Sequence, residues 1–235
     1  MYTADGRIRY SEVGTDRKLT MESLLDYYQD VATFQTEDLG IGIEYMMNLQ
    51  YAWLLSSWQV VINRYPSVGE KIRTSTIPYE WKGFLGYRNF LMETEDGEVL
   101  SYANSIWVFM DMKKGMPARI PQDILDKFKL CERYPMECES RKIKVPEGGT
   151  TMEPIIVKQH HLDTNDHVNN GQYVKMALDF VPKDKTVYQM RADYRMSAKL
   201  DDVMMPVVTS EEDKYTICLK ADNGDSFCTV EFRTK

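Results

Sequence analysis

Trp58-Gln59-Val60-Val61-Ile62-Asn63-Arg64-Tyr65-Pro66-Ser67-Val68-Gly69-Glu70-Lys71-Ile72 lines up with Met190-Arg191-Ala192-Asp193-Tyr194-Arg195-Met196-Ser197-Ala198-Lys199-Leu200-Asp201-Asp202-Val203-Met204 at a constant offset of about 132. Each segment is followed by a strand pattern and then a tight hairpin signal, Asp96-Gly97 in the first case and Asn223-Gly224 in the second. A period this long reads as a duplicated domain, not a solenoid.

Working outward, each half has one helix-like stretch followed by long alternating strands. In the first half Thr20 is placed to cap a helix. Leu24, Leu25, Tyr28, Val31 and Ala32 then recur at helical spacing as far as Gly40, a natural stop. Strands are expected from Trp53 to Ile62, Lys71 to Pro78, Phe84 to Glu93 and Glu98 to Met110. In the second half a short helix is expected from Asn170 to Phe180, ending before Pro182. Strands follow at Val187 to Tyr194, Val203 to Thr209, Tyr215 to Ala221 and Ser226 to Arg233. Helices joined to long antiparallel strands predict an α+β architecture in which each sheet buries the apolar face of its helix.

The stretch from Lys113 to Thr150 breaks the pattern with Pro117, Pro121, Pro135, Pro146, Gly148 and Gly149. It reads as a linker carrying one short amphipathic helix around Asp123 to Phe128. The expected organisation is therefore residues 1–112, a linker at 113–150, and residues 151–235.

The bulk numbers exclude several function classes. A chain of 235 residues, 43% hydrophobic and 28% charged, can bury a sizeable core and is not disordered by composition. A net charge of −7 weighs against non-specific binding to nucleic acid or anionic membranes. No apolar run approaches the ~20 residues needed to span a bilayer. Met1 to Gly6 lacks the apolar core of a signal peptide, so a cytoplasmic location is expected. Cys131, Cys138, Cys218 and Cys228 fit neither a metal motif nor a disulfide framework and read as free thiols.

The three histidines, His160, His161 and His167, fall within eight positions, inside the densest polar cluster of the chain. There Asp163, Asn165 and His167 stand at i, i+2 and i+4, and in an extended or looping segment such residues project to one side. A carboxylate there can hold a water, and an imidazole can take its proton near neutral pH. An amide can orient the water or stabilise developing charge, and the N–H groups opening the following helix are candidate oxyanion donors. On spacing alone, ordinary turn chemistry for Asp163-Thr164-Asn165-Asp166 and cap chemistry for Asn169-Asn170 are favoured over catalysis. A zinc site from the three histidines lacks standard ligand spacing. No P-loop, dinucleotide fingerprint or GxSxG elbow occurs.

The run Asp163-Thr164-Asn165-Asp166-His167-Val168-Asn169-Asn170-Gly171-Gln172-Tyr173 resembles the D-x-N-x-H-V-N-N-x-x-Y motif of the acyl-acyl-carrier-protein thioesterases. Leu25 to Ala32 with Leu39-Gly40 resembles that family's first helix. Trp53-Leu54-Leu55, Trp58, Arg64-Tyr65-Pro66, Arg88-Asn89-Phe90 and Trp107-Val108 resemble its first sheet. The resemblance covers nearly the whole chain. It implies two tandem hotdog domains, each an antiparallel sheet wrapped around a central helix. It implies release of free fatty acids from acyl carrier protein without a metal or organic cofactor. Asp163, Asn165 and His167 would be catalytic, and the first hotdog would house much of the acyl chain. One departure stands out: in Tyr194-Arg195-Met196-Ser197, Ser197 occupies the place where the family commonly has a catalytic Glu. A hydroxyl can hold a water but cannot act as a carboxylate base. Asp193 and Asp201 are the carboxylates available instead. Asp193 shares the strand parity of Ser197 and opposes Tyr194.

The first half has no equivalent site, because Lys18-Leu19 align with His167-Val168. One site per chain is expected. Trp53, Trp58, Phe34, Met46 and Met47 are the candidates for acyl-chain contact, with core packing as the plain alternative. An acidic carrier protein calls for a basic docking face, drawn from Lys113, Lys114, Arg119, Lys127, Lys129, Arg133, Arg141, Lys142 and Lys144. A solvated charged surface accounts for the same residues. A homodimer is one assembly open to such a chain. Other functions to weigh are an acyl-CoA thioesterase, a catalytically weak acyl-binding hotdog protein, and a hotdog dehydratase, which the motif wording fits less well.

Overall fold

The computed structural model describes all 235 residues, which form two compact units. The first is Met1–Ser56 with Ile62–Cys138, and the second is Ser57–Val61 with Glu139–Lys235. This division differs from the expected one, because no separate linker remains between the units. Residues 113–138 join the first unit, where Ile120, Ile124 and Phe128 bury against Ile41, Met46 and Phe109. Apolar burial outweighs the Pro and Gly content that suggested an independent segment.

The first unit contains β1 (Tyr2–Arg7), α1 (Met21–Asp38), α2 (Ile43–Asn48), most of β2 (Tyr51–Ile62), β3 (Lys71–Lys82), β4 (Leu85–Thr94), β5 (Val99–Asp111), the two-residue β6 (Met116–Pro117) and α3 (Gln122–Leu125). Its main strands lie in the order β1-β3-β4-β5-β2. Helix α1 starts where Thr20 Oγ1 accepts the N–H of Ser23 at 3.2 Å, and the chain leaves it through Gly40 at φ +69°. Leu24, Leu25, Tyr28, Val31 and Ala32 are buried as their spacing requires. Tyr28 meets Phe90 of β4 with ring centroids 5.1 Å apart, and its hydroxyl lies 2.7 Å from Ser101 Oγ of β5.

Strand β1 and helix α2 are the elements of the first unit longer than three residues that escaped the sequence reading. Strand β1 pairs with β3, from Tyr2 opposite Thr76 to Arg7 opposite Lys71, yet its buried-side residues are weakly apolar. Helix α2 buries only Met46. Strand β3 also runs past Pro78 to Lys82, because a register shift between Pro78 and Glu80 absorbs the missing donor.

The second unit contains β7 (Thr150–Thr151), β8 (Ile155–Ile156), α4 (Asn170–Leu178), β9 (Val187–Tyr194), β10 (Val203–Glu211), β11 (Lys214–Lys220) and β12 (Ser226–Thr234). Its strands run β9-β12-β11-β10, and residues 57–61 pair with β9 from Ser57 opposite Asp193 to Val61 opposite Gln189. Helix α4 lies against β11 and β12 and buries Tyr173, Val174, Met176 and Ala177. The hairpin turns sit where the sequence put them, with Gly97 at φ +85° and Gly224 at φ +87°. Each unit is thus an antiparallel sheet packed on its own helix, the tandem hotdog arrangement.

On the sheet face of the second unit, Glu139 is bonded to Arg191 at 3.0 Å, to Arg233 at 2.8 Å and to Gln189 at 2.9 Å. Arg191 also reaches Glu231 at 3.1 Å and the carbonyl of Ser140 at 2.6 Å. This network fastens the start of the second unit's main segment to β9 and β12. No helix of the chain is long and apolar enough to cross a membrane.

Candidate active site

Of the two forms open to the i, i+2, i+4 pattern, extended or looping, the segment before α4 takes the second, a closed turn. Leu162 and Val168 form an antiparallel bridge that closes it. Inside it the N–H of Asp163 donates to the carbonyl of His167 at 2.7 Å, and Asp166 adopts φ +57°, a left-handed conformation that Asp tolerates better than most residues. Asp163 Oδ1 accepts the N–H of Asn165 at 2.8 Å and, more weakly, that of His167 at 3.4 Å. The plain turn reading of Asp163 and the catalytic one therefore fall on the same carboxylate: Oδ1 caps the turn and Oδ2 is left without a bond from the chain. Asn165 is exposed, and Asp163 and His167 are half-buried. No hydrogen bond to the chain engages the imidazole of His167.

Two clamps fix this turn against its surroundings. The N–H of Val168 donates to the carbonyl of Ala198 at 2.9 Å, and the N–H of Asn169 donates to the carbonyl of His161 at 2.9 Å. Ala198 is itself held, because its N–H donates to the hydroxyl of Tyr173 at 2.8 Å. Tyr194 donates to the carbonyl of Asn170 at 2.9 Å, tying the first turn of α4 to β9. Burial pushes the Tyr173 and Tyr194 hydroxyls well above the ordinary phenol range, so both remain protonated.

The opening of α4 has less donor capacity free than its sequence suggested. Asn169 Oδ1 takes the N–H of Gly171 at 2.8 Å, and its carbonyl takes that of Gln172 at 2.9 Å. The N–H of Asn170 is the opening amide left for an oxyanion. The neighbouring histidines serve local structure. His161 Nδ1 accepts the N–H of Lys158 at 3.0 Å, and the His160 and His161 rings lie 4.2 Å apart. Burial, followed by His160 and two lysines, holds the His161 imidazole below its ordinary pKa.

Ser197 is exposed and immediately precedes Ala198, the anchor of Val168. Asp193 points elsewhere. Alternation along β9 sends it to the face opposite Tyr194, where Arg195 holds Oδ2 at 2.7 and 3.0 Å. Its buried Oδ1 has no hydrogen-bond partner. Asp201 sits in the turn that follows, closed by the N–H of Asp202 donating to the carbonyl of Lys199 at 3.1 Å, and has φ +65°.

The five residues expected at an acyl chain are not all together. Met46 belongs to the buried apolar cluster of the first unit, and Trp53 packs on its edge, 5.0 Å from Phe109 and 5.6 Å from Trp81. Phe34 is 49% exposed and lines a groove between α1 and β1, whereas Met47 is 64% exposed. Trp58 is 2% exposed and belongs to the second unit. The basic residues from Lys113 to Lys144 are all exposed, and Lys114 pairs with Asp111 at 3.1 Å.

Sequence reasoning named Tyr173 only as part of a motif and did not find Ala198, whose role is carried by backbone atoms and leaves no side-chain signal.

Two hotdog units, one of which carries a carboxylate–amide–imidazole turn at its helix, define a tandem hotdog protein. The family model described as acyl-ACP thioesterase N-terminal domain matches residues 1–128, and its C-terminal counterpart matches residues 146–232. The chain belongs to the acyl-ACP thioesterase family. It is 24% identical over 239 residues to an acyl-[acyl-carrier-protein] hydrolase of Cuphea viscosissima, covering 92% of this chain and 58% of that protein. It is 24% identical over 245 residues to an oleoyl-acyl carrier protein thioesterase of Arabidopsis thaliana, covering 93% of this chain and 66% of that protein. The chain thus spans little more than half the length of the first of these relatives. Among solved structures, it superposes on an acyl-ACP thioesterase from Bacteroides thetaiotaomicron with TM-score 0.90 at 24% identity, covering 99% of this chain and 97% of that one. It superposes on a 12:0-ACP thioesterase from Umbellularia californica with TM-score 0.87 at 18% identity, covering 100% and 96%. At these identities the structural likeness is one of fold.

Proposed function

We propose that this chain hydrolyses acyl thioesters carried on acyl carrier protein and releases free fatty acids. The observation that carries the reading is the closed turn Asp163–His167, in which one carboxylate oxygen organises the backbone while the other, the Asn165 amide and the His167 imidazole stay free of bonds to the chain. Asp163 Oδ2 and His167 would hold a water between them. His167 takes its proton as the water oxygen attacks the thioester carbonyl carbon. Asn165 and the N–H of Asn170 face the developing oxyanion. The C–S bond then breaks, the carrier thiol receives the proton from His167, and the free acid leaves.

Ser197 favours a second reading, an acyl-binding protein with slow turnover, since no carboxylate occupies its position. Mass spectrometry of free fatty acids released from purified acyl carrier thioesters distinguishes the two. Hydrolysis that falls at least ~100-fold in kcat on His167→Ala supports the enzyme. Tight acyl binding without release by the unaltered chain supports the second reading. Parallel assays with acyl-CoA of the same chain length identify the carrier.

A further inference from the structure

The first unit contains the same loop as the second, without the motif. Val13 and Leu19 form the bridge that Leu162 and Val168 form. The N–H of Gly14 donates to Lys18 O at 2.9 Å, as Asp163 does to His167. Arg17 is left-handed at φ +63°, as Asp166 is at +57°. The N–H of Thr20 donates to Glu12 O at 3.0 Å, as Asn169 does to His161. The N–H of Leu19 donates to Pro66 O at 2.8 Å, as Val168 does to Ala198.

The two loops differ in what lies behind the last carbonyl. Pro66 has no N–H, and the fourth residue after the helix cap is Leu24, which is buried and has no acceptor. Ala198 has an N–H, is fully buried, and the fourth residue after its helix cap is Tyr173, whose hydroxyl accepts that N–H. A buried N–H left unpaired costs about 1–3 kcal/mol, so Leu with Pro and Tyr with Ala are two solutions to one requirement. The second tyrosine follows the same division. Tyr194 bonds the carbonyl of Asn170, while the aligned position in the first unit is Ile62.

We infer that Tyr173 is a positioning residue for His167, acting through the chain Tyr173 Oη, Ala198 N–H, Ala198 C=O and Val168 N–H. The hydroxyl fixes the backbone of Ala198 at its N–H, and the carbonyl of the same residue holds Val168, which adjoins His167. This rests on the thioesterase reading above. The apolar version of the clamp occurs in the unit where Lys18 stands in place of the histidine.

The test uses Tyr173→Phe, Tyr173→Phe with Ala198→Pro, and the full chain, assayed on acyl carrier thioester. Tyr173→Phe is expected to lower kcat about tenfold with KM within about twofold, and to lower Tm. Adding Ala198→Pro removes the orphaned N–H, recreates the first unit's solution, and restores Tm together with kcat. Wild-type kcat in folded Tyr173→Phe overturns the inference, as does a kcat that stays low once Tm has recovered. The titration of the His167 imidazole, followed by NMR, decides independently of turnover. A shifted midpoint or ring signal in Tyr173→Phe supports positioning, and superimposable titrations overturn it even where the double variant fails to fold. An unaltered chain that cleaves no thioester defeats the functional reading alone, since the NMR comparison still stands.

Discussion

Asp163 holds Asn165 in place: its Oδ1 accepts the Asn165 N–H at 2.8 Å, so the first member of the motif builds the turn that presents the second. The same demand is met differently in the first unit. Asp16 Oδ1 accepts the N–H of Lys18 at 3.0 Å, and a Cβ added to Gly14, which aligns with Asp163, would lie 3.2 Å from that oxygen. A carboxylate caps this turn in both units, and only in the second does it come from the motif's first residue.

Structure and chemistry at Asp163 are therefore separable. Asp163→Asn retains an oxygen that can accept the Asn165 N–H and is expected to stay within about 0.5 kcal/mol of wild type. Asp163→Ala loses the cap and about 1 kcal/mol. Both should lose at least ~100-fold in kcat. Urea unfolding and initial rates check this, and an active Asp163→Asn would leave the carboxylate with a capping role alone.

Trp53 rests on the rim of the apolar cluster formed by Phe109, Ile124 and Phe128, with Trp81 beside it. Trp53→Ala is expected to cost about 2–3 kcal/mol and to move the released fatty acids toward longer chains. Product analysis by mass spectrometry decides, and an unchanged profile in folded protein assigns Trp53 to packing.

Lys113 and Lys114 lie in the exposed turn after β5, where Lys114 is already paired with Asp111. Lys113→Glu is the cleaner reversal. For an acidic carrier it should raise KM several-fold, leave kcat unchanged, and flatten the salt dependence of kcat/KM. Equal kinetics at low and high salt in both proteins would put docking elsewhere.

Glu139 joins Arg191 and Arg233 across β9 and β12, and the Arg191 side chain is 9% exposed. Removing the carboxylate leaves Arg191 with Glu231 as its remaining ionic partner. Glu139→Ala is expected to lower stability by about 1–2 kcal/mol without changing His167 chemistry. A Tm equal to wild type would show the network to be decorative.

Much of the fold was legible because it is written in side-chain periodicity. Thr20, the stripe from Leu24 to Ala32 and Gly40 delimit α1 by local rules, and Asp96-Gly97 and Asn223-Gly224 mark their hairpins by the same kind of rule. Strand β1 and helix α2 were not legible, because their residues become structured through pairing with β3 and through the burial of Met46 alone. The segment after Lys113 misled because Pro and Gly report local backbone preference, whereas Ile120, Ile124 and Phe128 respond to a cluster assembled from distant parts of the chain.

The sequence by itself determined the duplication, the start and stop of α1, the two hairpin turns, and the family motif from Asp163 to Tyr173, since all of these reside in residue type and short-range spacing. Only the tertiary structure decided that Asp163 both caps and offers a free oxygen, that Arg195 holds Asp193, and that Tyr173 reaches Ala198. Those facts depend on backbone N–H and C=O groups meeting across the fold, and a backbone group has the same chemistry in nearly every residue, so no sequence pattern records where it points.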